Sequence, residues 1–154
     1  VGDSAGAHLL TLYASILTNK EYASTYDFKA PVGFHFSALA LNCGAYNITS
    51  ESELTGALIK EYMPLGGTEE EFKEIDPKQY ITSEFPPCFV MTAEGDFLIE
   101  DALTMSQVLT HHNVSHIYKY YVGDKPLNHV FHCNMRLKEA TQCNDEECEF
   151  FKAY

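Results

Sequence analysis

The stretch Val1-Gly2-Asp3-Ser4-Ala5-Gly6 is followed directly by an apolar run that extends to Asn19. Residues 2–6 fit the pattern G-x-S-x-G, which places a serine on a sharp turn between a buried strand and a helix. The apolar side chains of residues 7–19 cover most of a helix circumference, so this run predicts a buried helix where the pattern requires one. Glycines at both ends of the motif are expected because such a strained turn packs closely. Gly2, Asp3 and Gly6 therefore frame a candidate nucleophile, Ser4.

Further apolar runs alternate with helical patterns along the chain. The predicted strands are residues 37–43, 88–93 and 115–122, and the predicted helices are residues 7–19, 53–62 and 100–113. Residues 20–29 are polar and predict a loop, and a last helix is expected to start at His129. Because strands that alternate with helices pair in parallel, the chain predicts an α/β fold with helices on both faces of the sheet.

Residues 44–86 are too long for a simple crossover between two parallel strands. They contain the helical pattern at 53–62, a break at Pro64-Leu-Gly-Gly67 and a short acidic segment at 69–75. Along the stretch, acidic side chains outnumber lysines by nine to three. We expect an elaborated, cap-like crossover that lies over one end of the sheet, within a single partial domain of residues 1–154.

A serine nucleophile needs a base, and the base needs an acid that orients it. Asp96 comes just after the predicted strand 88–93, and His129 comes just after the predicted strand 115–122. The carboxyl ends of parallel strands meet at one edge of the sheet, where catalytic groups collect. The sequence therefore predicts that Ser4, Asp96 and His129 converge there.

Asp96 also has a simpler interpretation, because an aspartate between a strand and a helix often caps the helix or forms a turn. Two other aspartates compete with it for the acid role. Asp101 falls within a predicted helix, and Asp124 lies in the loop just before His129. The chain order Ser, Asp, His, with each residue after its own strand, favours Asp96.

The charge balance restricts the partners of the protein. The chain has 154 residues with 22 acidic and 10 basic side chains, a formal net charge of −12. Nucleic acid and anionic membranes attract clustered lysine and arginine, so neither is expected as a partner. The content of 45% apolar and 21% charged residues is typical of a globular domain. Neither a signal-peptide pattern nor an apolar run of membrane-spanning length is present, so no stable membrane insertion is expected.

The spacing of cysteine and histidine gives little support for a metal site. The five cysteines form an odd set without a CxxC pair, which favours a reducing cytoplasm, and the sequence leaves open whether Cys143 and Cys148 pair. His129 and His132, with Cys133 nearby, mimic a metal cluster, but one i,i+3 pair without a third converging ligand is a weak signal. We therefore expect no metal and no cofactor.

With these motifs together, the sequence resembles the C-terminal half of an α/β-hydrolase, nearest to the esterase/lipase group that includes the hormone-sensitive-lipase-like enzymes. The shared motifs are residues 2–6, Gly95-Asp96-Phe97-Leu98 and Asn128-His129-Val130-Phe131, and the resemblance spans nearly the whole chain. Two positions depart from the group. Phe97 stands where a proline usually follows the acid, and Val130 stands where a glycine commonly follows the histidine.

The resemblance implies a carboxylic-ester hydrolase that acts on small-molecule esters through an acyl-enzyme. Ser4 is then the nucleophile, His129 the general base and Asp96 the orienting acid. The N–H of Ala5, the residue after the nucleophile, is one donor of the oxyanion hole. A serine exopeptidase of the same fold is an alternative, because the same three residues serve amide hydrolysis.

The resemblance also implies that part of such a domain precedes Val1. The HGGG-type loop that supplies the other oxyanion donor belongs there, together with the first strands of the sheet and the strand that leads into Ser4. On that basis we expect Leu9, Leu12 and Ile16 to face water. It also leaves a second function open, an inactive fragment or a hydrolase-like binding module without catalysis.

Overall fold

The computed structural model describes residues 1–49, 51–52 and 56–154. Within them, one four-stranded sheet has the order β1-β2-β3-β4, and each neighbouring pair of strands is parallel. The strands are β1 (Gly2–Asp3), β2 (Leu39–Asn42), β3 (Cys88–Ala93) and β4 (His116–Tyr121). The predicted α/β class with a parallel sheet is confirmed.

Helices connect the strands. They are α1 (Ala5–Thr18), α2 (Lys20–Ala23), α3 (Gly56–Tyr62), α4 (Glu69–Glu74), α5 (Ile99–His111) and α6 (Lys138–Phe151), with short 3₁₀ turns at Pro77–Gln79 and Phe131–Cys133. The helix predicted over 53–62 is observed from Gly56, and its first positions, 53–55, lie outside the described residues. No helix in the described part of the chain combines the length and hydropathy that a bilayer span requires.

Two predicted boundaries are wrong. The stretch 20–29 begins with α2 rather than a loop, because the Asn19 side chain accepts hydrogen bonds from the N–H groups of Glu21 and Tyr22 and caps a short helix. The last helix begins at Lys138 rather than His129. The residue after His129, Val130, has a left-handed backbone (φ 52°), which a right-handed helix does not admit.

Alternation of side chains along the central strands divides the core between the two faces of the sheet. On β3, Cys88 and Val90 pack with residues of α1 and α5 on one face. Phe89 and Met91 pack with residues of α6 on the other. The helices therefore cover both faces, as predicted.

All five cysteines are free thiols, with Cys143 buried in the core and Cys148 exposed.

The region around α1 differs from the expectation in two respects. The strand that leads into Ser4 is partly present, since β1 pairs with Leu41 and Asn42 of β2. Leu9 is 65% exposed as expected, but Leu12 is buried and Ile16 is half-buried. The helix is therefore less open to solvent than the sequence suggested, because β2 and the segment 44–86 pack against it.

Segment 44–86 is tied to the domain at several points. The Glu71 carboxylate accepts hydrogen bonds from the N–H groups of Leu65, Gly67 and Thr68, and this closes the turn before α4. The ring of His8 on α1 contacts the carbonyl of Ile75 at 2.7 Å. A small apolar cluster joins the segment to the loop after β3; it consists of Ala45, Ile48, Phe72 and Leu98.

Candidate active site

Ser4 occupies a strained turn between β1 and α1. Its backbone has φ 54° and ψ −121°, a conformation that residues other than glycine rarely adopt. The Ser4 N–H donates to the carbonyl of Asn42 at 3.0 Å, so the adjacent strand holds the turn in place. Strain of this kind persists where the surrounding structure enforces it, and it is concentrated at functional sites. We refer to residues 2–6 as the serine turn.

The two glycines of the serine turn are not equivalent. A Cβ added to Gly2 would lie 2.6 Å from the carbonyl oxygen of Gly6, so residue 2 must be glycine for the turn to close. A Cβ added to Gly6 would meet no atom within 4 Å among the described residues. Within the described residues, close packing therefore requires glycine at position 2, and the requirement for glycine at position 6 stays a prediction.

His129 bridges the serine and an aspartate. Its Nε2 lies 2.9 Å from Ser4 Oγ, and its Nδ1 lies 2.8 Å from Asp96 Oδ1. A carboxylate can only accept, so Nδ1 carries the proton and Nε2 is left to accept from the Ser4 hydroxyl. This is the tautomer that a histidine general base requires.

The side chain of Asp96 is completely buried, and both of its carboxylate oxygens accept hydrogen bonds. Besides His129, the Leu98 N–H donates to Oδ1 at 3.0 Å and the Thr92 hydroxyl donates to Oδ2 at 2.8 Å. Burial by itself would raise the pKa of Asp96, but the donors that surround the carboxylate outweigh it and hold the pKa below the ordinary 3.8. Asp96 is therefore an anion at neutral pH.

The two other aspartates considered for the acid role, Asp101 and Asp124, form their contacts away from His129. Asp101 on α5 accepts hydrogen bonds from the backbone N–H groups of Tyr46 and Asn47, at 2.6 and 2.8 Å, and so anchors the chain that follows β2. Asp124 is exposed and pairs with Lys138 at 2.7 Å. Of the three aspartates weighed from the sequence, Asp96 is the one that the fold brings to His129.

The loops that carry Asp96 and His129 are paired with each other. The N–H of Gly95 donates to the carbonyl of Leu127 at 3.0 Å, and Gly95 forms a parallel bridge with Asn128. A Cβ on residue 95 would lie 2.8 Å from the Leu127 oxygen, so only glycine permits this approach.

The Glu94 carboxylate also joins the two loops, because it accepts hydrogen bonds from the N–H groups of Gly123 and Leu127. The contribution of Glu94 was not predicted, because no local pattern in the sequence links residue 94 to residues 123–127.

Val130 stands where the esterase/lipase group that the sequence resembles commonly has glycine, and its backbone conformation is one that favours glycine. Its φ of 52° lies in the left-handed region, where glycine is favoured and a β-branched residue is a true outlier. A glycine at this position would adopt the same backbone without strain. The chain therefore forms the turn after His129 with a strained valine, partly buried against the core around α6.

Ala5 is the first residue of α1. The N–H groups of the first helical turn have no acceptor within the helix and carry the positive end of the helix dipole. The position of Ala5, directly after Ser4, agrees with the geometry expected of an oxyanion donor. Its part in catalysis stays a prediction.

Three groups beside Ser4 are close enough to share a metal ion. The ligand atoms of Cys43, Asp96 and His129 lie within 4.8 Å of one another, the one such group found among the described residues. Burial, followed by the nearby Asp96 charge, raises the pKa of the Cys43 thiol well above its usual range. A metal would have to ionise this thiol and displace donors from Asp96, so the cluster is not an open metal site. His132 and Cys133 do not belong to it.

No protein-family model matches the chain. Solved structures match it in fold. Esterase B from Lactobacillus Rhamnosis has a TM-score of 0.80 at 23% identity, covering 99% of this chain and 51% of its own. The same esterase inhibited by a tributyrin phosphonate has a TM-score of 0.82 at 24% identity, covering 99% of this chain and 50% of its own.

A more distant match is an acetyl ester-xyloside bifunctional hydrolase from Caldicellulosiruptor lactoaceticus, with a TM-score of 0.73 at 14% identity over 99% of this chain and 54% of its own. The chain thus spans about half the length of the solved structures it matches. At these identities the likeness establishes the fold alone, and at that level it confirms the predicted resemblance to half of an α/β-hydrolase.

Proposed function

We propose that this chain, which has the α/β-hydrolase fold, belongs to a carboxylic-ester hydrolase that forms an acyl-enzyme on Ser4. The observation that carries the proposal is the continuous hydrogen-bonded line from Ser4 Oγ through both ring nitrogens of His129 to Asp96, with links of 2.9 and 2.8 Å. The strained backbone of Ser4 supports it, because residues in sparsely populated conformations are concentrated at functional sites.

In the proposed reaction, Ser4 Oγ attacks the ester carbonyl carbon while its proton moves to His129 Nε2. The resulting imidazolium is stabilised by the Asp96 carboxylate, which keeps its negative charge. His129 then gives the proton to the leaving alcohol as the carbon–oxygen bond breaks, and Ser4 retains the acyl group. A water molecule repeats these steps on the acyl-enzyme and releases the carboxylic acid.

The oxyanion of each tetrahedral intermediate would accept a hydrogen bond from Ala5 N–H. This group lies at the amino end of α1, a helix of 14 residues, where the dipole favours negative charge. A single oxyanion donor is worth about 10²–10³ in rate in other serine hydrolases. The proposed assignment thus gives Ser4 Oγ and the Ala5 N–H, both in the serine turn, separate parts in the reaction.

The substrate class follows from the fold and from charge. The matched structures are named as esterases and an acetyl ester hydrolase, and a small neutral ester is therefore the proposed substrate. The net charge of −12 disfavours anionic esters. Hydrolysis of amides by the same groups is the alternative within this fold, and the two are distinguished by comparing p-nitrophenyl esters with amino-acid p-nitroanilides.

The test is covalent labelling with a fluorophosphonate, a reagent related in chemistry to the phosphonate bound by the matched esterase B. We expect one label, located on Ser4 by mass spectrometry. Ser4→Ala should remove the label and lower ester turnover by on the order of 10⁴-fold or more. Ser37→Ala, at an exposed serine away from the site, should change neither.

If Ser4 is unlabelled in the 154 residues but labelled in a longer chain that contains them, these residues alone are an inactive fragment. If Ser4 is unlabelled in both, the proposal is contradicted and a hydrolase-like binding module is favoured. Labelling without turnover of p-nitrophenyl esters of any acyl length would contradict the ester assignment alone. Turnover of p-nitroanilides in preference to esters would support the exopeptidase alternative.

A further inference from the structure

An exposed aromatic ring lies against the candidate base. The ring centroids of Phe97 and His129 are 4.3 Å apart with an angle of 39° between the ring planes. Phe97 is nevertheless 59% exposed, so its position is not explained by burial of its own surface. It is one of the two positions at which the chain departs from the group that its sequence resembles, where a proline, which has no aromatic face, is usual.

The backbone on both sides of Phe97 is fixed. Asp96 is held by its N–H bond to the Ala93 carbonyl at 3.0 Å, and its own Oδ1 accepts from the Leu98 N–H at 3.0 Å. Leu98 is anchored in the apolar cluster that it shares with Phe72 and two residues of the chain after β2. Phe97 therefore projects from a rigid turn, and its distance from His129 follows from that turn.

The ring of His129 is held at its edge by Ser4 and Asp96, and both of those contacts lie along the ring plane. Phe97 adds a contact on the face of the ring. Such a contact restricts rotation of the imidazole out of the line between serine and carboxylate. It also hinders the approach of water to the Nδ1–H···Asp96 hydrogen bond from that side. When the imidazole takes up a proton, the aromatic face attracts the resulting cation.

We propose that Phe97 is a positioning residue for His129, which holds the imidazole in its reactive orientation and shields its bond to Asp96. The effect on reaction rate rests on the proposed ester hydrolysis. The effect on the imidazole itself does not, since ring orientation and proton exchange exist whether or not Ser4 reacts. The two effects are therefore measured separately.

The first measurement is the exchange of the His129 Nδ1 proton with water, followed by NMR in the 154-residue chain. We expect Phe97→Ala to accelerate this exchange by about three- to tenfold, the range expected from the strength of one aromatic contact. Phe97→Trp keeps an aromatic face and should restore slow exchange. Phe28→Ala is the matched control, because Phe28 is 49% exposed and packs on Tyr13 and Tyr26 away from the site.

The second measurement is kinetic. With p-nitrophenyl acetate, Phe97→Ala should lower kcat by about three- to tenfold and change KM by less than about twofold, because the orientation of the base and not substrate binding is altered. The rate of fluorophosphonate labelling of Ser4 should fall in parallel. Phe97→Trp should recover kcat, and Phe28→Ala should leave both rates unchanged.

The outcomes separate the two proposals. Unchanged proton exchange in Phe97→Ala would overturn the positioning role, whatever the enzyme assays give. Faster exchange in a chain whose Ser4 resists labelling would support the positioning role and contradict ester hydrolysis. A rise in KM with kcat unchanged would overturn the proposed effect of this positioning on the reaction rate, in favour of a substrate contact.

Discussion

The serine turn and the loop that carries Asp96 meet the two nitrogens of the same imidazole, but different interactions hold them. In the serine turn, positions are set by backbone geometry: Ser4 has a positive φ, and no side chain of the described residues caps α1. In the loop after β3, positions are set by polar groups, since the Asp96 carboxylate accepts three hydrogen bonds. The turn should therefore be sensitive to added atoms, and the loop should be sensitive to removed donors and lost charge.

Among the changes that test this comparison, the largest expected effect is the loss of the charge on Asp96. Asp96→Asn preserves the shape of the side chain but removes the negative charge that stabilises the imidazolium and selects the tautomer of His129. By analogy with other Ser-His-Asp enzymes, ester turnover should fall by on the order of 10⁴-fold. Steady-state kinetics and the rate of fluorophosphonate labelling measure this loss.

Asp124→Asn is the matched control, because Asp124 is exposed and bound only to Lys138 in the contacts described above. Its turnover should stay within about twofold of the unmodified chain, as expected of a surface ion pair. If Asp124→Asn lost activity and Asp96→Asn kept it, the acid would be misassigned, and the contrast between the loop and the turn would lose its basis.

The next effect in size tests the serine turn by adding one methyl group at either of its glycines. Gly2→Ala forces a Cβ to within 2.6 Å of a backbone oxygen. We expect it to lower the free energy of unfolding by about 1–3 kcal/mol and, by displacing Ser4, to slow labelling by roughly 10²-fold. Urea denaturation followed by circular dichroism, together with probe labelling, measures both.

Gly6→Ala serves as the comparison, since the added Cβ meets no described atom within 4 Å. Alanine has a higher helix propensity than glycine, so the variant should match or exceed the stability of the unmodified chain by up to about 1 kcal/mol. Ser4 should label at an unchanged rate. Equal losses of unfolding free energy and labelling rate in Gly2→Ala and Gly6→Ala would show that packing within the turn does not depend on where the glycine lies.

Much of the site was predictable because its residues follow local patterns. β3 was predicted with its observed bounds, Cys88–Ala93, since an unbroken apolar run between prolines and a glycine has few other interpretations. The placement of Asp96 and His129 after successive strands needed only the rule that parallel strands share a carboxyl edge. The distances now found between Ser4, His129 and Asp96 agree with that prediction, and their catalytic roles remain the proposal.

The features that were missed depend on contacts between distant parts of the chain. Gly6 resembles Gly2 in sequence, and only the folded turn shows that residue 2 alone contacts the opposite backbone. The last helix was placed at His129 because the left-handed backbone of Val130 has no sequence signal when the residue is not glycine. Glu94 binds backbone groups of residues 123 and 127, about thirty positions away, and hydrophobic periodicity carries no information about such a bond.

The smallest expected effect concerns a single donor to Asp96 and its dependence on pH. Thr92→Val keeps the shape of a fully buried side chain and removes the hydroxyl that donates to the carboxylate. A hydrogen bond to a charged group contributes about 1.5–3 kcal/mol, so the free energy of unfolding should fall by this amount at pH 7. Guanidinium denaturation at a series of pH values measures the difference between the two chains.

The sign of the pH dependence follows from the pKa of Asp96, which folding lowers below 3.8. A carboxyl with a lowered pKa contributes stability that is present above its unfolded value and is lost as the pH falls through the folded value. Thr92→Val weakens this contribution, so the difference between the chains should be constant near neutral pH and shrink below about pH 4. Thr11→Val removes an equally buried hydroxyl that donates to the uncharged carbonyl of Ala7, and its effect should not vary with pH. A difference for Thr92→Val that did not shrink in acid, while both chains still unfold reversibly, would mean that the hydroxyl does not favour the ionised carboxylate. The loop would then be held by packing in the same way as the serine turn.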